Sequence, residues 1–125
     1  MSAMRILMVI DSLAKGGKER RMLELINGLK LRQEEFDIYL LSLSDRVEYE
    51  YVFDLPIRFE VLKRKYKKDP SLVIKIKKII NTYKPDIIHS WSTMASVYLS
   101  TANPLSKIPL VNAVLADAHN SLNIL

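Results

Sequence analysis

The residues that could bind a phosphate stand in one stretch near the N-terminus, MRILMVIDSLAKGGKERR, residues 4–21. A nearly continuous apolar run ends at Asp11, and Gly16 and Gly17 follow it directly before Lys18. Glycine permits backbone conformations closed to other residues and leaves no side chain between the main chain and a ligand. The free amides and the dipole of the helix that begins here would attract an anion to the same place. The stretch therefore predicts an anion site, most naturally for a phosphate.

The glycine pair alone is not a specific signal. It matches neither the dinucleotide fingerprint GxGxxG nor the phosphate loop GxxxxGK[ST]. The alternative is that Gly16 and Gly17 only turn a tight loop and cap the helix, which is a common use of glycine. The elements around the turn must decide between the two.

Further candidate side chains follow two later predicted strands. His89, Trp91 and Ser92 stand at the end of one, and Asp117 and His119 come after the next. His89 could act as a base or donate a hydrogen bond to a bound hydroxyl, and Trp91 could offer a flat platform to a sugar ring. The plainer interpretations are a histidine held by a loop carbonyl, a tryptophan packed beneath a loop, and a solvated pair in a polar tail. These groups meet only in a parallel sheet, whose ligands bind at the carboxyl ends of the strands.

A second kind of candidate is the basic run KRKYKK. The net charge of +5 favours anionic partners, which include nucleic acid, phosphorylated sugars and acidic lipid headgroups. The run is either a solvated loop or a patch for an anion or a membrane surface. Nucleic acid is disfavoured because only Tyr66 could stack on a base. The basic residues of the run are Lys63, Arg64, Lys65, Lys67 and Lys68.

The composition argues against several classes of site. The chain has no cysteine and two histidines far apart, so we expect no disulfide, no metal and no bound cofactor. No apolar stretch reaches the roughly 18 residues of a membrane span, and no signal peptide is evident. We expect a cytoplasmic chain, with peripheral attachment at the inner face of the membrane left open.

Strands alternate with helical segments along the chain, which predicts a Rossmann-like parallel sheet of about five strands with helices on both faces, an α/β fold. The 125 residues are enough for one domain, which we place at 1–115 and expect to be incomplete, with an irregular tail at 116–125. Helices are predicted from Lys18, from Asp69 and Pro70, and over 92–102, and 44–56 is predicted to be a loop. The predicted strands are 4–10, 36–43, 57–62, 86–89 and 108–115.

Three segments, SLAKGGKERRMLELINGL, KPDIIHSW and KIPLVNAVLADA, resemble the retaining, nucleotide-sugar-dependent glycosyltransferases of the large group 1 class, which have the GT-B fold. The resemblance covers nearly the whole chain and implies the N-terminal, acceptor-side domain. In that class two Rossmann-like domains face each other across a cleft, and the glycine turn approaches the donor's diphosphate or sugar. The matching positions of the first segment are Leu13, Gly16, Gly17, Glu19, Arg20 and Leu23.

The resemblance implies roles for individual residues. Gly16, Gly17 and Lys18 would contact the phosphate or sugar of the donor. His89 would be the catalytic candidate, although many relatives carry a second histidine at the place of Trp91. The residues expected on the acceptor side are Asp11, Trp91, Ser92, Asp117 and His119.

The expected function is that of the N-terminal half of an enzyme that transfers a hexosyl group from a nucleotide sugar to a glycan or lipid acceptor. Without a C-terminal nucleotide-binding domain we expect it to be inactive. Its expected partners are that domain, the donor, the acceptor, an anionic membrane surface and, through uncovered apolar surface, a second copy. The alternative is a stand-alone module that binds an anion or a membrane surface and catalyses nothing.

Overall fold

The computed structural model describes residues 3–32, 34–65, 68–103 and 107–112. The order of the strands and α-helices along the chain is the predicted one. The end of the predicted fifth strand and the tail at 116–125 lie outside the described residues. The strands are β1 Met4–Ile10, β2 Phe36–Ser42, β3 Arg58–Val61, β4 Ile87–Ser90 and β5 Leu110–Asn112; the helices are α1 Gly17–Lys30, α2 Pro70–Tyr83 and α3 Thr93–Ala102, with a short 3₁₀ helix at Glu50–Asp54.

The five strands form one parallel sheet in the order β3-β2-β1-β4-β5. β1 lies at its centre and pairs with β2 along its whole length, from Met4 opposite Phe36 to Ile10 opposite Ser42. On its other side β1 pairs with β4, and Val9 lies opposite Ser90. The strand order therefore reverses between β1 and β4, and the predicted Rossmann-like α/β fold is confirmed.

The continuous apolar run of β1 is explained by helices on both faces of the sheet. Leu7 and Val9 point into the core beneath α2 and α3, whereas Ile6, Met8 and Ile10 belong to the core beneath α1. Because successive side chains of a strand point to opposite faces, a strand covered on both sides has no polar face to alternate with. Each fully buried side chain of this size contributes about 1.5–3 kcal/mol to folding.

The start of α2 confirms a prediction made from two residues. Asp69 is the N-cap, its carboxylate accepts a hydrogen bond from the Ser71 amide, and Pro70 is the first helical residue. The helix ends at Tyr83, where Lys84 takes the left-handed conformation (φ 53°) ahead of Pro85. No helix within the described ranges is long and apolar enough to cross a bilayer.

The segment 44–56 differs from the predicted loop. It contains the 3₁₀ helix, whose Val52 is fully buried in the core beneath α1. Before that helix, Val47 forms an isolated parallel bridge with Leu13, three residues beyond the end of β1. These contacts attach the segment to the turn that follows β1.

Candidate functional site

The site expected from the fold lies at the carboxyl edge of the sheet between β1 and β4, because ligands of open parallel sheets bind where the strand order reverses. The Trp91 amide donates to the Val9 carbonyl at 2.9 Å, so the segments that follow the two strands begin side by side. The structure thus brings two of the three predicted groups together, those after β1 and after β4. Asp117 and His119, the third predicted group, lie outside the described residues.

The glycine turn does not use the special conformations of glycine. Gly16 is the N-cap of α1 with an extended backbone (φ −175°, ψ 171°), and no described glycine has a positive φ. The expectation that the pair adopts a backbone closed to other residues is therefore wrong. No described side chain caps this helix start, so its first amides keep the unpaired state that every helix N-terminus begins with.

The two glycines instead differ in the space around them. A Cβ at Gly17 would meet nothing within 4 Å, so the main chain faces open space at the first residue of α1. A Cβ at Gly16 would lie 2.7 Å from Oε2 of Glu19, a residue only 8% exposed that folds back over the turn. Gly17 therefore leaves room for a ligand, and Gly16 leaves room for Glu19.

The loop after β2 holds the glycine turn in place, which the sequence did not indicate. The Tyr49 hydroxyl lies 3.3 Å from the Gly16 amide, and the Glu48 carboxylate accepts from the Lys15 amide. The hydrogen bond from the Lys15 amide, followed by those from the Arg46 side chain, lowers the pKa of Glu48. The alternation of Tyr49, Tyr51 and Phe53 in the sequence is compatible with a short edge strand or with the predicted loop, and it does not indicate a contact with the glycine turn.

Lys18 and Asp11 are brought together, as residues expected near the ligand should be. The Lys18 ammonium lies 3.0 Å from Oδ1 of Asp11, and each side chain is about one-third exposed. Oδ1 also accepts from the Ser12 amide at 3.0 Å. A pair this exposed to solvent contributes at most about 1 kcal/mol. Lys18 can therefore exchange Asp11 for an anionic ligand at low cost.

His89 and Trp91 pack against each other on the α1 side of the sheet edge. Their ring centroids are 4.5 Å apart, and burial lowers the pKa of His89, which favours the neutral imidazole at physiological pH. Trp91 is 6% exposed and belongs to the core beneath α1, so its ring is closed to a sugar in this conformation. Its indole Nε1 is buried and has no hydrogen-bond partner among the residues that the structure describes. The plainer interpretation of Trp91 as a packing residue fits this placement.

The Ser92 side chain has a structural role, as the cap of a helix. It is 3% exposed, and its hydroxyl caps α3 by accepting from the Ala95 amide at 3.1 Å. Beside it lies a polar cluster that sequence reasoning missed, in which the Ser96 hydroxyl is 2.7 Å from both the Ser90 hydroxyl and Oδ1 of Asn112. The cluster joins β4, α3 and β5 at the same edge, and only the pairing of Ser90 opposite Asn112 could have revealed it.

The basic run begins at this edge, between β3 and α2. Lys63 forms an ion pair with Asp45 at 3.3 Å, and the Lys65 amide donates to Asp69 at 2.9 Å. Arg64 and Lys68 stand at the end of a groove between α2 and α3, while Lys67 is outside the described residues. Within the described part of the chain, no three carboxylate or histidine side chains gather as a metal site requires.

Residues 15–113 match the family Glycosyltransferase Family 4. Among solved structures, Anabaena HepE in complex with UDP is similar with a TM-score of 0.63 and 24% identity, over 87% of this chain and 29% of HepE. The lipopolysaccharide outer core galactosyltransferase WaaB is similar with a TM-score of 0.64 and 14% sequence identity, over 87% of this chain and 32% of WaaB. Acinetobacter baumannii MurG is similar with a TM-score of 0.66 and 14% sequence identity, over 95% of this chain and 39% of MurG.

These likenesses show a shared fold, and the chain spans about a third of the length of the structures it matches. No curated protein sequence matches it significantly.

Proposed function

Because this chain belongs to glycosyltransferase family 4, we propose that it is the N-terminal, acceptor-side domain of an enzyme that transfers a hexosyl group from a nucleotide sugar to a glycan or lipid. The observation that carries the proposal is the open start of α1 at the point where the strand order reverses. The HepE structures in complex with UDP, and with UDP-glucose, support a nucleotide-sugar donor. The galactosyltransferase WaaB supports a hexosyl group.

The first turn of α1 would bind the donor's diphosphate. Its first amides have no side-chain cap, a Cβ at Gly17 would meet nothing within 4 Å, and the helix dipole adds a partial positive charge at this end. Lys18 would turn from Asp11 to the phosphate and leave the Asp11 carboxylate as an acceptor for a hydroxyl group. Donors fixed in place before the reaction stabilise the charge that develops on the departing diphosphate.

His89 would act through a neutral imidazole. Burial lowers its pKa, so it can donate or accept a hydrogen bond without bringing a positive charge into the site. Its ring is held against Trp91, which limits its rotation. We assign it to a hydroxyl of the transferred sugar or of the acceptor, rather than to the diphosphate.

Transfer would require a second domain. The chain spans about a third of the structures it resembles, and closure of two domains is the usual way to exclude water and align the reacting groups. We expect the isolated chain to show no sugar transfer and the same chain joined to a C-terminal nucleotide-binding domain to be active. Turnover by the isolated chain would contradict this expectation.

The glycine turn can be tested with two alanine variants of one helix. Gly17 and Gly28 both lie in α1, and a Cβ at either position meets nothing within 4 Å. Each change to alanine should therefore be tolerated, with a gain of about 0.5–1 kcal/mol expected for the interior position. In the two-domain enzyme, Gly17→Ala should lower kcat/KM for the donor by about tenfold because a methyl group stands in its path. Gly28→Ala should not change it, and equal activity of the two variants would overturn the assignment.

A further inference from the structure

A cavity opens at the amino edge of the sheet, opposite the edge at which the donor site is proposed. Its volume is about 490 Å³, a size typical of small-molecule sites. Its lining includes Arg5, Asp37 and Arg58 at the starts of β1, β2 and β3, and Lys78 and Tyr83 in the last two turns of α2. The strand β1 separates the two edges by about 16 Å, so a small ligand in this cavity would not contact the start of α1.

One wall of the cavity is aromatic and uncharged. The rings of Tyr39 and Tyr83 meet edge to face, with their centroids 5.1 Å apart. The Tyr83 hydroxyl donates to the Asp37 carbonyl at 2.9 Å, and the Tyr39 hydroxyl donates to the Glu60 carboxylate at 2.7 Å. Burial raises the pKa of both phenols, that of Tyr39 to about 12, so both remain neutral at physiological pH. The two rings therefore offer an organic group a firmly held surface without adding negative charge.

The Arg58 guanidinium is held by the same two rings. Its central carbon lies 5.0 Å from the centroid of the Tyr39 ring and 6.0 Å from that of the Tyr83 ring. A guanidinium that rests on aromatic rings keeps its N–H groups available in its own plane, where they bind an oxyanion through two parallel hydrogen bonds. Glu60, two residues along β3, is bonded to the Tyr39 hydroxyl rather than to Arg58. The donors of Arg58 are therefore arranged before a ligand arrives.

Positive charge exceeds negative charge in the lining of this cavity. Arg5, Arg58 and Lys78 line it, and Asp37 is the one carboxylate among its described lining residues. None of the three cations forms an ion pair with a carboxylate of the described chain. The Arg5 guanidinium donates to the Tyr83 carbonyl at 2.8 Å, which offsets the negative end of α2. The excess of positive charge favours a group with two negative charges over a single carboxylate.

We propose that this cavity is a second ligand site, which binds a small phosphate monoester through its phosphate at Arg58 and Lys78 and through a flat organic group at Tyr83 and Ile79. A phosphate monoester carries a charge of about −1.5 to −2 at pH 7 and three acceptor oxygens, which match the paired donors of Arg58 and the ammonium of Lys78. This proposal does not rest on the function proposed above, which concerns the opposite edge of the sheet.

Binding can be measured on the full chain without a sugar donor. The probe is phenyl phosphate, and its controls are inorganic phosphate, which lacks the ring, and benzoate, which keeps the ring but carries one charge. Each is titrated at pH 7.5 by calorimetry and by NMR of the backbone amides. We expect phenyl phosphate to saturate a single site, with shifts at Arg58, Thr82 and Tyr83. Inorganic phosphate and benzoate should each bind at least about tenfold more weakly.

The Arg58 side chain can be tested against an arginine in a similar setting. Arg58→Gln should weaken binding of phenyl phosphate at least about tenfold, and Arg58→Lys, which keeps the charge but not the planar fork, should weaken it several-fold. The control is Arg32→Gln, because Arg32 is also exposed and lies 5.9 Å from the centroid of the Phe36 ring, but is outside the cavity. It should leave the affinity unchanged.

Two neighbouring lysines of α2 give a second comparison. Lys78 lines the cavity and Lys77 does not, although both are exposed. Lys78→Gln should weaken binding several-fold, and Lys77→Gln should leave it unchanged. Because all four substituted side chains are exposed, each variant should keep the thermal unfolding midpoint of the unchanged protein.

Three results would overturn the proposal. Equal losses in Arg58→Gln and Arg32→Gln would indicate general attraction to the basic chain. Equal affinities for phenyl phosphate and either control would show that the cavity does not select a phosphate monoester. Shifts confined to Gly17 and Lys18 would place the probe at the start of α1. If the probe binds as expected but the two-domain enzyme transfers no sugar, the second site stands and the proposed function fails.

Discussion

The helices α1 and α2 begin at the same edge of the sheet, but only α2 has a side chain that caps its first turn. At α2, Asp69 is buried, and its carboxylate accepts hydrogen bonds from the Ser71 and Lys65 amides. At α1, Gly16 offers no side chain, and the main chain at Gly17 faces open space. One helix start has its donors bonded within the fold, and the other leaves them for a ligand.

This difference teaches that charge alone does not locate an anion site. The basic run before α2 is the most positive segment of the sequence, whereas the turn before α1 carries Lys15 and Lys18. Yet the cap at Asp69 occupies helix amides at α2, so an anion there meets side chains only. The start of α3 is closed in the same way by Ser92. Among the described α-helices, the start of α1 is the one without a side-chain cap.

The largest expected loss of activity should follow a substitution that gives α1 a side-chain cap like that of α2. Gly16→Asp places a carboxylate at the helix start, where it accepts from the amides and repels the donor diphosphate. Glu19 must turn outward, because its Oε2 lies 2.7 Å from the new Cβ, but it is the end of a flexible side chain. We expect kcat/KM for the donor in the two-domain enzyme to fall about 100-fold, with little change in the thermal unfolding midpoint.

The control for this variant is Gly28→Asp, which makes the same change at the exposed end of the same helix. It should keep its activity, although a negative charge near the helix C-terminus is slightly unfavourable. If Gly16→Asp retained full activity, the open helix start would not be the donor site, and the contrast between α1 and α2 would have no functional meaning.

The second expected effect is a loss of stability when a substitution removes the cap of α2. Asp69→Ala leaves the Ser71 and Lys65 amides without an acceptor, and we expect the unfolding midpoint to fall by about 4–8 °C. Asp54→Ala, at an exposed aspartate of the 3₁₀ helix, should leave the midpoint nearly unchanged. Thermal unfolding followed by circular dichroism measures both. Equal midpoints for the two variants would show that the α2 start is no more tightly closed than an ordinary surface site.

The same cap predicts a pH dependence. Hydrogen bonds hold the pKa of Asp69 below its usual value, so the folded state favours the ionised carboxylate. The stability this adds is present above the usual carboxyl range and is lost as the pH falls through the lowered pKa. Asp69→Ala should therefore lose less stability on acidification than the unchanged protein does.

The sequence was sufficient for the fold because the fold depends on local patterns. The apolar run of β1 predicted a strand covered on both faces, and Asp69 with Pro70 predicted the start of α2; both are confirmed. Strands alternating with helices then predicted the parallel sheet, and the structure adds the strand order that places β1 beside β4. Apolar spacing and capping residues act over a few positions, so they can be recognised without knowing what lies opposite.

The candidate site could be predicted only in part because its details come from distant segments. The sequence predicts the glycine turn. It does not predict that Tyr49 and Glu48 hold the turn, or that the two glycines have different surroundings. The sequence is compatible with Trp91 as an open platform for a sugar, whereas its burial depends on side chains of the core beneath α1. The cavity at the amino edge likewise requires the end of α2 to lie beside the starts of β1, β2 and β3. None of these follows from spacing within a single segment.

The smallest expected effect is on the pH dependence of stability. It tests whether water is excluded from His89 and Trp91, which pack next to the start of α1. His89 packs against Trp91, and burial lowers its pKa, so the folded state favours the neutral ring. The unfolded chain binds a proton near its ordinary pKa of about 6.5. This contribution to stability is therefore complete above that value and declines as the pH falls toward the lowered pKa of the folded state.

His89→Gln should reduce the dependence of the unfolding midpoint on pH between about 7.5 and 5, where histidine titrates and most carboxylates do not. Urea unfolding at several pH values measures this slope, and His119→Gln gives the contribution of the chain's other histidine. If the slope were the same with and without His89, water would reach the imidazole as freely as it reaches the amides of α1. Water would then reach this whole edge of the sheet, and the proposal that a neutral His89 contacts the sugar would lose its physical basis.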